Sequence, residues 1–311
     1  MSKFFLSSLS ILCGLAFAPI AQAQDTEEKT KTVTITKKAF AKGDVIRSSH
    51  TFRMEMKMTI VMPPQPNQAP KPPQVMDQKG LGQDDREIEI LEVKKGKITK
   101  LKVTFQKLVQ TMDMGVAAGG SQERPDSLNK RAFTIGKVGS AWTINGEDGP
   151  VSEADNRKIK RLTQSLFDDH ANGLADAVPA KELKVGQEVK ASIDVLKALL
   201  DMRSDAFKFS ERKLILTGTK KINGKECALF DVKFQAMQDT KTPGGMTMSI
   251  NGKGKLVIEV ATGRQKSLVL TGAPKMDSQP GGPVSMNGDG EIEVKQTLKY
   301  KKPEKSEKSD K

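Results

Sequence analysis

Apolar and polar residues alternate along two long stretches of the chain, one near each end. In residues 52–62, Phe52 and Ile60 enclose three methionines at every second position, and mostly charged or hydroxylated residues lie between them. Residues 292–300 repeat this pattern. Successive side chains of a β-strand point to opposite faces, so a period of two predicts strands with one buried face. Strands of this kind are typical of antiparallel sheets.

Further strands are predicted where β-branched and aromatic residues are frequent. They cover residues 31–41, 86–94, 98–112, 131–138, 141–145, 206–219, 226–237, 246–261 and 265–276. Tight turns are expected at three Asn-Gly pairs, since both residue types tolerate the positive φ of hairpin turns. These pairs are Asn223-Gly224, Asn251-Gly252 and Asn287-Gly288. Most of the chain is therefore predicted to form β-structure.

Helical signals are confined to residues 152–203. Ser152 and Asp155 have the spacing of a capping box, and apolar residues then recur on one helical face as far as Leu166. A second amphipathic helix is predicted over residues 192–203. Strands followed by helices and more strands indicate an α+β fold. In this fold, one or two central helices pack on a large curved antiparallel sheet.

Two segments on either side of the predicted helices resemble one another. Gly96-Lys97 leads to Val-Thr-Phe-Gln at residues 103–106, and Gly224-Lys225 leads to Val-Lys-Phe-Gln at residues 232–235. Such an echo is a sign of internal duplication, although strand-turn-strand sequences also converge. Two related β halves flanking the helices are therefore one interpretation, and convergence of the two segments is the other.

Two segments lack strand and helix patterns. Residues 63–85 are rich in proline and glutamine, and the pairs Pro63-Pro64 and Pro72-Pro73 favour extended conformations. We expect an exposed loop there, because proline cannot donate a hydrogen bond to a strand ladder. The tail 301–311 is charged throughout, and its only apolar residue is Pro303, so it is predicted to be disordered.

The first 23 residues have the three parts of a cleavable export signal. Lys3 gives a positive start, residues 4–17 are mostly apolar, and Ala21-Gln22-Ala23 forms a small-x-small cleavage site. Residues 24–300 would then form a β-rich exported domain in the periplasm or outside the cell, with lipidation of Cys13 as the alternative. No segment is long and apolar enough to cross a bilayer, so the sequence does not predict an integral helical membrane protein.

The charge balance of the chain is basic. It has 51 Lys and Arg against 38 Asp and Glu, a formal net charge of +13 at pH 7. A basic surface favours anionic partners such as lipid headgroups or envelope polymers, while export argues against nucleic acid. Cys227 is the only cysteine beyond the signal, which leaves no intramolecular disulfide. We therefore expect the hydrophobic core to hold the fold.

The methionines of the first long strand form the candidate site. Phe52, Met54, Met56, Met58 and Ile60 would share one strand face. Three interpretations are open: a packed core in which methionine fills gaps, a groove lining for a lipid or other apolar ligand, and a soft ligand set for Cu(I). Two further Met-x-Met pairs lie on predicted strands, Met112/Met114 and Met246/Met248.

Catalytic motifs are absent from the sequence. It has no G-x-S-x-G, H-E-x-x-H, P-loop or dinucleotide fingerprint. His50 and His170 are the only histidines. Asp168 and Asp169 precede His170, but consecutive helical residues point in different directions and do not converge on one metal ion. We expect no enzyme activity, metal or cofactor, and keep an unrecognised hydrolase as an alternative if a histidine lies in a cleft beside Ser, Asp or Glu.

The order of several short motifs resembles a group of uncharacterised bacterial exported proteins, although Val189 stands where that group often has an aromatic residue. The motifs are Ala141-Trp142-Thr143-Ile144, Val178-Pro179, Leu183-Lys184-Val185-Gly186-Gln187 and Ala261-Thr262-Gly263-Arg264. More distantly, the arrangement looks like the half-barrels of lipoprotein-carrier type proteins, whose curved sheet shelters an acyl chain. This fold-level analogy does not by itself establish a function. The Met-rich strand faces and the basic surface favour a non-catalytic envelope protein that binds a lipid or other apolar ligand in a Met-rich groove.

Overall fold

The structure is a computed structural model, and it describes residues 32–63, 69, 71–113, 121–168, 171–200, 207–239, 245–278 and 285–301. The predicted export signal, Cys13 and the tail beyond residue 301 lie outside these residues. The strands are β1 Thr32–Thr34, β2 Val45–Val61, β3 Gln74–Lys94, β4 Lys97–Asp113, β5 Ser121–Pro125, β6 Ala132–Val138, β7 Ala141–Gly146, β8 Glu182–Lys184, β9 Glu188–Lys190, β10 Phe207–Ile222, β11 Lys225–Asp239, β12 Met246–Glu259, β13 Arg264–Ser278 and β14 Ser285–Lys301. The helices are α1 Glu153–Phe167, the 3₁₀ helix Gly173–Ala177 and α2 Ile193–Leu199.

Most strands belong to one antiparallel sheet of twelve strands. Its order is β7-β6-β4-β3-β2-β14-β13-β12-β11-β10-β9, and β5 pairs with β4. β14 pairs with β2, so the first and last long strands are neighbours in the middle of the sheet. β1 and β8 form a separate two-stranded sheet. The prediction of a large antiparallel sheet is therefore confirmed.

One face of the sheet, the inner face, carries two hydrophobic cores. Strands β9 to β14 share the first core with α2 and the 3₁₀ helix, and β2, β3, β4 and β6 share the second with α1. Phe230 and Phe234 in the first core, and Phe105 and Phe133 in the second, are almost completely buried. Each buried phenylalanine contributes about 1.5–3 kcal/mol. The predicted packing of helices on the sheet is confirmed, and the helices are few and short.

The start of α1 is set by the predicted cap. The Ser152 hydroxyl accepts a hydrogen bond of 3.0 Å from the backbone N–H of Asp155. This bond satisfies one of the free N–H groups of the first helical turn, and Ile159 and Phe167 then face the sheet. α2 begins at Ile193, and its predicted end at residue 203 lies outside the described residues.

The predicted loop over residues 63–85 is wrong from residue 74 onward. β3 begins at Gln74 and is the longest strand, with 21 residues. Its first half pairs with β2 on one edge and, from Lys79, with β4 on the other. These two ladders satisfy the backbone, although the Gln, Gly and Asp side chains carry no strand signal. The last proline, Pro73, precedes the strand.

One of the three predicted Asn-Gly turns is confirmed. Asn223 and Gly224 have φ values of 50° and 75° and connect β10 to β11. The other two predictions are wrong, because Asn251-Gly252 and Asn287-Gly288 lie inside β12 and β14. A Cβ atom on Gly252 would lie 2.0 Å from Cζ of Phe234, so the glycine gives room to that ring.

The two segments of the internal echo form the β3–β4 and β10–β11 hairpins. Lys95 and Gly96 have φ values of 50° and 79°, close to those of Asn223 and Gly224, so the two turns share their geometry. Duplication of a β half stays a prediction. The strand predicted over residues 31–41 is wrong after Thr34, since regular strand structure stops there. No helix in the described part of the chain is long and apolar enough to cross a membrane.

Candidate functional site

A cavity of about 720 Å³ lies between the inner face of the sheet and the two helices. We call it the inner cavity. Its floor comes from β2, β3, β4 and β14, and its roof from α1 and α2. The volume falls within the range of about 300–1,000 Å³ that is usual for small-molecule sites.

Part of the floor is apolar and open. Phe52 and Met54 of β2 lie there beside Gly82 and Gly80, their register partners on β3. A Cβ atom on Gly80 or Gly82 would meet no atom closer than 3.8 Å, so the backbone itself does not demand glycine. The missing side chains leave space above β3 that larger residues would fill.

The adjoining part of the floor is polar. Gln296, His50 and Asp84 are register neighbours on β14, β2 and β3, and they all line the inner cavity. Gln296 accepts a hydrogen bond of 2.7 Å from Gln265, which is completely buried. The Gln265 side-chain oxygen in turn accepts one of 3.1 Å from the Leu174 N–H in the 3₁₀ helix. Polar side chains thus cross the sheet between the two hydrophobic cores.

An ion pair completes the polar floor and links it to the roof. Nη2 of Arg86 donates to Oδ2 of Asp84 at 2.5 Å, and Nη1 of Arg86 donates to the Leu162 carbonyl of α1 at 2.7 Å. The two side chains are only 14% and 10% exposed. Oδ1 of Asp84 and Nε of Arg86 are buried and find no hydrogen-bond partner among the described residues. Leaving such a group unpaired costs about 1–3 kcal/mol, so both atoms would gain from a polar ligand if the side chains turn toward the inner cavity.

The roof combines apolar and charged side chains. Leu162 and Leu166 of α1, and Val195 and Leu199 of α2, line the inner cavity. At its rim, Lys158 forms an ion pair with Asp126. The other rim charges are Arg161, Asp168, Asp194 and Lys197. The roof therefore presents leucine and valine side chains to the inner cavity, with charges of both signs at its rim.

Asp155 at the start of α1 holds that helix to the β5–β6 connection. Its carboxylate accepts a hydrogen bond of 2.5 Å from the Ser127 hydroxyl and one of 3.2 Å from Arg131. The hydrogen bond from Ser127, with those from Ser152 and Arg131, lowers the pKa of Asp155 although burial opposes this. These contacts fix the position of the cavity roof over the sheet.

The structure separates the five residues predicted for the candidate site. Phe52 and Met54 line the inner cavity. Met56 and Met58 are buried further along β2, and Ile60 follows near the strand end. Asp84 and Arg86 were missed because they fell in or beside the predicted loop. No apolar/polar alternation marks this segment, and it is ordered as a strand by its pairing with β2 and β4.

Of the two histidines, only His50 lies among the described residues. His50 lies in the inner cavity with Ser48 two residues away on the same strand face. Asp169 and His170 lie outside the described residues, and Asp168 forms an ion pair with Lys137.

Among the described residues, no group of three His, Cys, Asp or Glu residues could hold a metal ion. Cys227 is buried, and burial raises the pKa of its thiol, which makes it unreactive near neutral pH.

Comparison with known proteins identifies no family. No family model and no curated protein matches the chain, which is consistent with a family of unknown function. A structure titled "Lipid-protein interactions in lipovitellin" is 10% identical with a TM-score of 0.33, covering 86% of this chain and 26% of that one. The chain thus spans about a quarter of that protein's length.

Two bacterial membrane proteins give weaker similarities. An outer membrane channel from Pseudomonas putida F1 is 7% identical with a TM-score of 0.24, and the match covers 85% of this chain and 97% of that one. A mutant porin of Rh. blastica is 9% identical with a TM-score of 0.20, covering 80% and 99%. These scores describe a general likeness between β-rich chains and assign no function.

Proposed function

We propose that this chain is a non-catalytic exported envelope protein that binds a lipid or other apolar ligand in the inner cavity. The observation that carries the proposal is the composition of the cavity floor. Open apolar surface at Phe52, Met54 and the two glycines adjoins the buried Asp84–Arg86 pair, which has unpaired polar atoms. One end of a ligand would therefore contact hydrocarbon and the other would be hydrogen-bonded.

The apolar part of the ligand would lie between β2 and the leucines of the helices. Methionine is flexible and polarizable, and it adapts to chains of different shape. The glycines leave the depth that an acyl chain needs above β3. The expected groove therefore uses Phe52 and Met54, while Met56, Met58 and Ile60 lie beyond it.

The polar part of the ligand would need to donate and accept hydrogen bonds. Oδ1 of Asp84 can only accept a hydrogen bond, and Nε of Arg86 can only donate one. A hydroxyl or amide headgroup supplies both partners, whereas a bare carboxylate would be repelled by Asp84. We therefore expect uncharged headgroups such as that of a monoacylglycerol to bind more tightly than free fatty acids.

Filling the cavity tests this function. We expect lipid in an organic extract of the purified protein, and saturable binding of a fluorescent monoacylglycerol. Gly82→Leu should weaken binding of that probe by about tenfold or more, which corresponds to about 1.4 kcal/mol. Lys79→Leu is the matched control, because Lys79 is exposed on the outer face of the same strand. A ligand-free extract together with no probe binding, or equal binding by both variants, would contradict the proposal.

A hydrolase is the second candidate, because His50 shares the inner cavity with Ser48 and lies opposite Asp84. The N–H groups of β2 are engaged on both edges of that strand, by β14 and β3. Stabilisation of an oxyanion would then need a side-chain donor such as Arg86. A fluorophosphonate probe should label the native protein and not Ser48→Ala if this candidate is correct. Absence of labelling in the native protein would exclude a nucleophilic Ser48.

A further inference from the structure

Gly288 of β14 is surrounded by methionine on the inner face of the sheet. Its lateral neighbours are Met276 of β13 and Met58 of β2. Along β14, the residues two positions away on the same face are Met286 and Gly290. Three of its four nearest inner-face positions therefore carry a thioether, and the fourth carries no side chain.

Glycine is required at positions 288 and 290 because β14 approaches β2 closely there. A Cβ atom on Gly290 would lie 2.0 Å from the carbonyl oxygen of Glu55. A Cβ atom on Gly288 would lie 2.9 Å from the carbonyl oxygen of Lys57 and 3.0 Å from Cγ of Met58. The Met58 side chain thus lies against Gly288, and β14 itself places no side chain in the space above that glycine.

The spacing of the strands lets the three thioethers converge. Neighbouring strands lie about 4.8 Å apart, so the Cα atoms of Met276 and Met58 are about 10 Å apart, with Gly288 between them. The Cα atom of Met286 is about 7 Å from that of Gly288 along β14. An unbranched methionine side chain bends freely enough to bring its sulfur over the glycine from each of these positions.

Among the described residues, no carboxylate or imidazole lies at an inner-face position next to the three methionines. Lys57, Asp277 and Asp289 alternate with the three methionines and their glycine, so they lie on the outer face of the sheet. Met58 is 7% exposed, and Met276 and Met286 are half-buried, so an ion can enter from the inner side. Thioethers without carboxylate or imidazole partners select soft monovalent ions.

We propose that Met58, Met276 and Met286 bind one Cu(I) or Ag(I) ion above Gly288. The site differs from the copper hypothesis drawn from Met54, Met56 and Met58, because those residues follow one another on a single strand. Those three residues occupy successive positions of one strand face with no gap between them, whereas Met58, Met276 and Met286 surround a glycine that carries no side chain. This binding is independent of the proposed lipid function, since none of the three methionines lines the inner cavity.

Titration of the purified full chain with Cu(I) tests the site. The experiment uses anaerobic competition with a chromophoric Cu(I) chelator, with Ag(I) in a parallel series. The triple variant Met58→Leu/Met276→Leu/Met286→Leu removes the sulfurs at nearly constant volume, so the fold is expected to persist. The matched control is Met62→Leu/Met237→Leu/Met246→Leu, whose methionines are 41%, 50% and 41% exposed. Both variants keep the Cys227 thiol.

The native protein and the control should bind one equivalent of Cu(I), and the Leu triple variant should bind it about 100-fold or more weakly. X-ray absorption of the copper-loaded protein should show three sulfur ligands. Circular dichroism of the triple variant checks that the sheet is intact. Failure of the native protein to compete for Cu(I), or equal affinity in a folded triple variant, would overturn the proposal.

Discussion

The two ends of the long strands are stabilised by different chemistry. At the helix end, where β2 begins at Val45 and β13 at Arg264, buried charges and aromatic rings meet. Arg264 forms a 2.7 Å ion pair with Asp44, and its guanidinium lies 4.9 Å from the ring of Phe40 and 4.8 Å from that of Tyr300. Burial raises the pKa of Tyr300 above its ordinary value.

At the methionine end, where β2 ends at Val61 and β13 at Ser278, the inner face is rich in methionine and glycine. Met248 and Met276 are register partners, as are Met58 and Met76. Thioethers impose little direction on their neighbours, whereas an ion pair requires one geometry. The helix end is therefore held by directional contacts, whereas the methionine end is held by adaptable ones and carries the proposed soft-ion site.

Breaking the buried ion pair should produce the largest effect. Arg264→Met keeps most of the side-chain volume but leaves Asp44 buried without its partner, which should cost about 3–5 kcal/mol of unfolding free energy. Lys255→Met is the control, because its pair with Asp231 is largely exposed and contributes less than about 1 kcal/mol. Urea unfolding measures both values, and equal losses would show that the helix end has no special role.

Gly252 and Gly82 differ in the space above them, and an alanine substitution at each position tests this difference. Gly252→Ala collides with the Phe234 ring and should cost about 1–3 kcal/mol. Gly82→Ala meets nothing closer than 3.8 Å, so it should be neutral or gain up to about 1 kcal/mol from reduced chain entropy. A large loss from Gly82→Ala would mean that the inner cavity floor is tightly packed and not open.

Asp155 should give a moderate, pH-dependent effect at the helix end. Asp155→Asn should lower stability by about 1 kcal/mol at pH 7, since it weakens the contacts with Ser127 and Arg131. The pKa of Asp155 is lowered by folding, so its contribution is complete above the unfolded pKa of about 3.9. It is lost as the pH falls through the folded value. Unfolding curves from pH 7 to pH 2 should therefore converge for the two proteins at the acid end, and a constant difference would contradict this assignment.

The smallest effect is expected for a methionine at the other end of the sheet. Met112 is 41% exposed, and Met112→Leu should change the unfolding free energy by no more than about 0.5 kcal/mol. The measurement is the same urea titration. A loss above 1.5 kcal/mol would indicate that packing at the methionine end is as specific as at the helix end.

Local patterns predicted much of the sheet but only part of the site. The alternation in residues 52–62 identified β2, and the cap at Ser152 identified the start of α1, because both signals depend on neighbours in sequence. The first half of β3 was missed, since the pairing with β2 and β4 that orders it is not visible in its own residues. Asp84 and Arg86 were missed with it. Gly252 was misassigned to a turn because the ring that requires it belongs to another strand.

The sequence by itself determined the strand periods, the helix cap and the Asn223-Gly224 turn. Tertiary structure decided which inward residues became neighbours. Only the register of β2 with β3 places Met54 beside Gly80 and His50 opposite Asp84. Only the register of β14 with its two neighbours gathers Met58 and Met276 around Gly288. The physical reason is that side-chain direction follows from local backbone geometry, whereas cross-strand contacts depend on pairings between residues far apart in the chain.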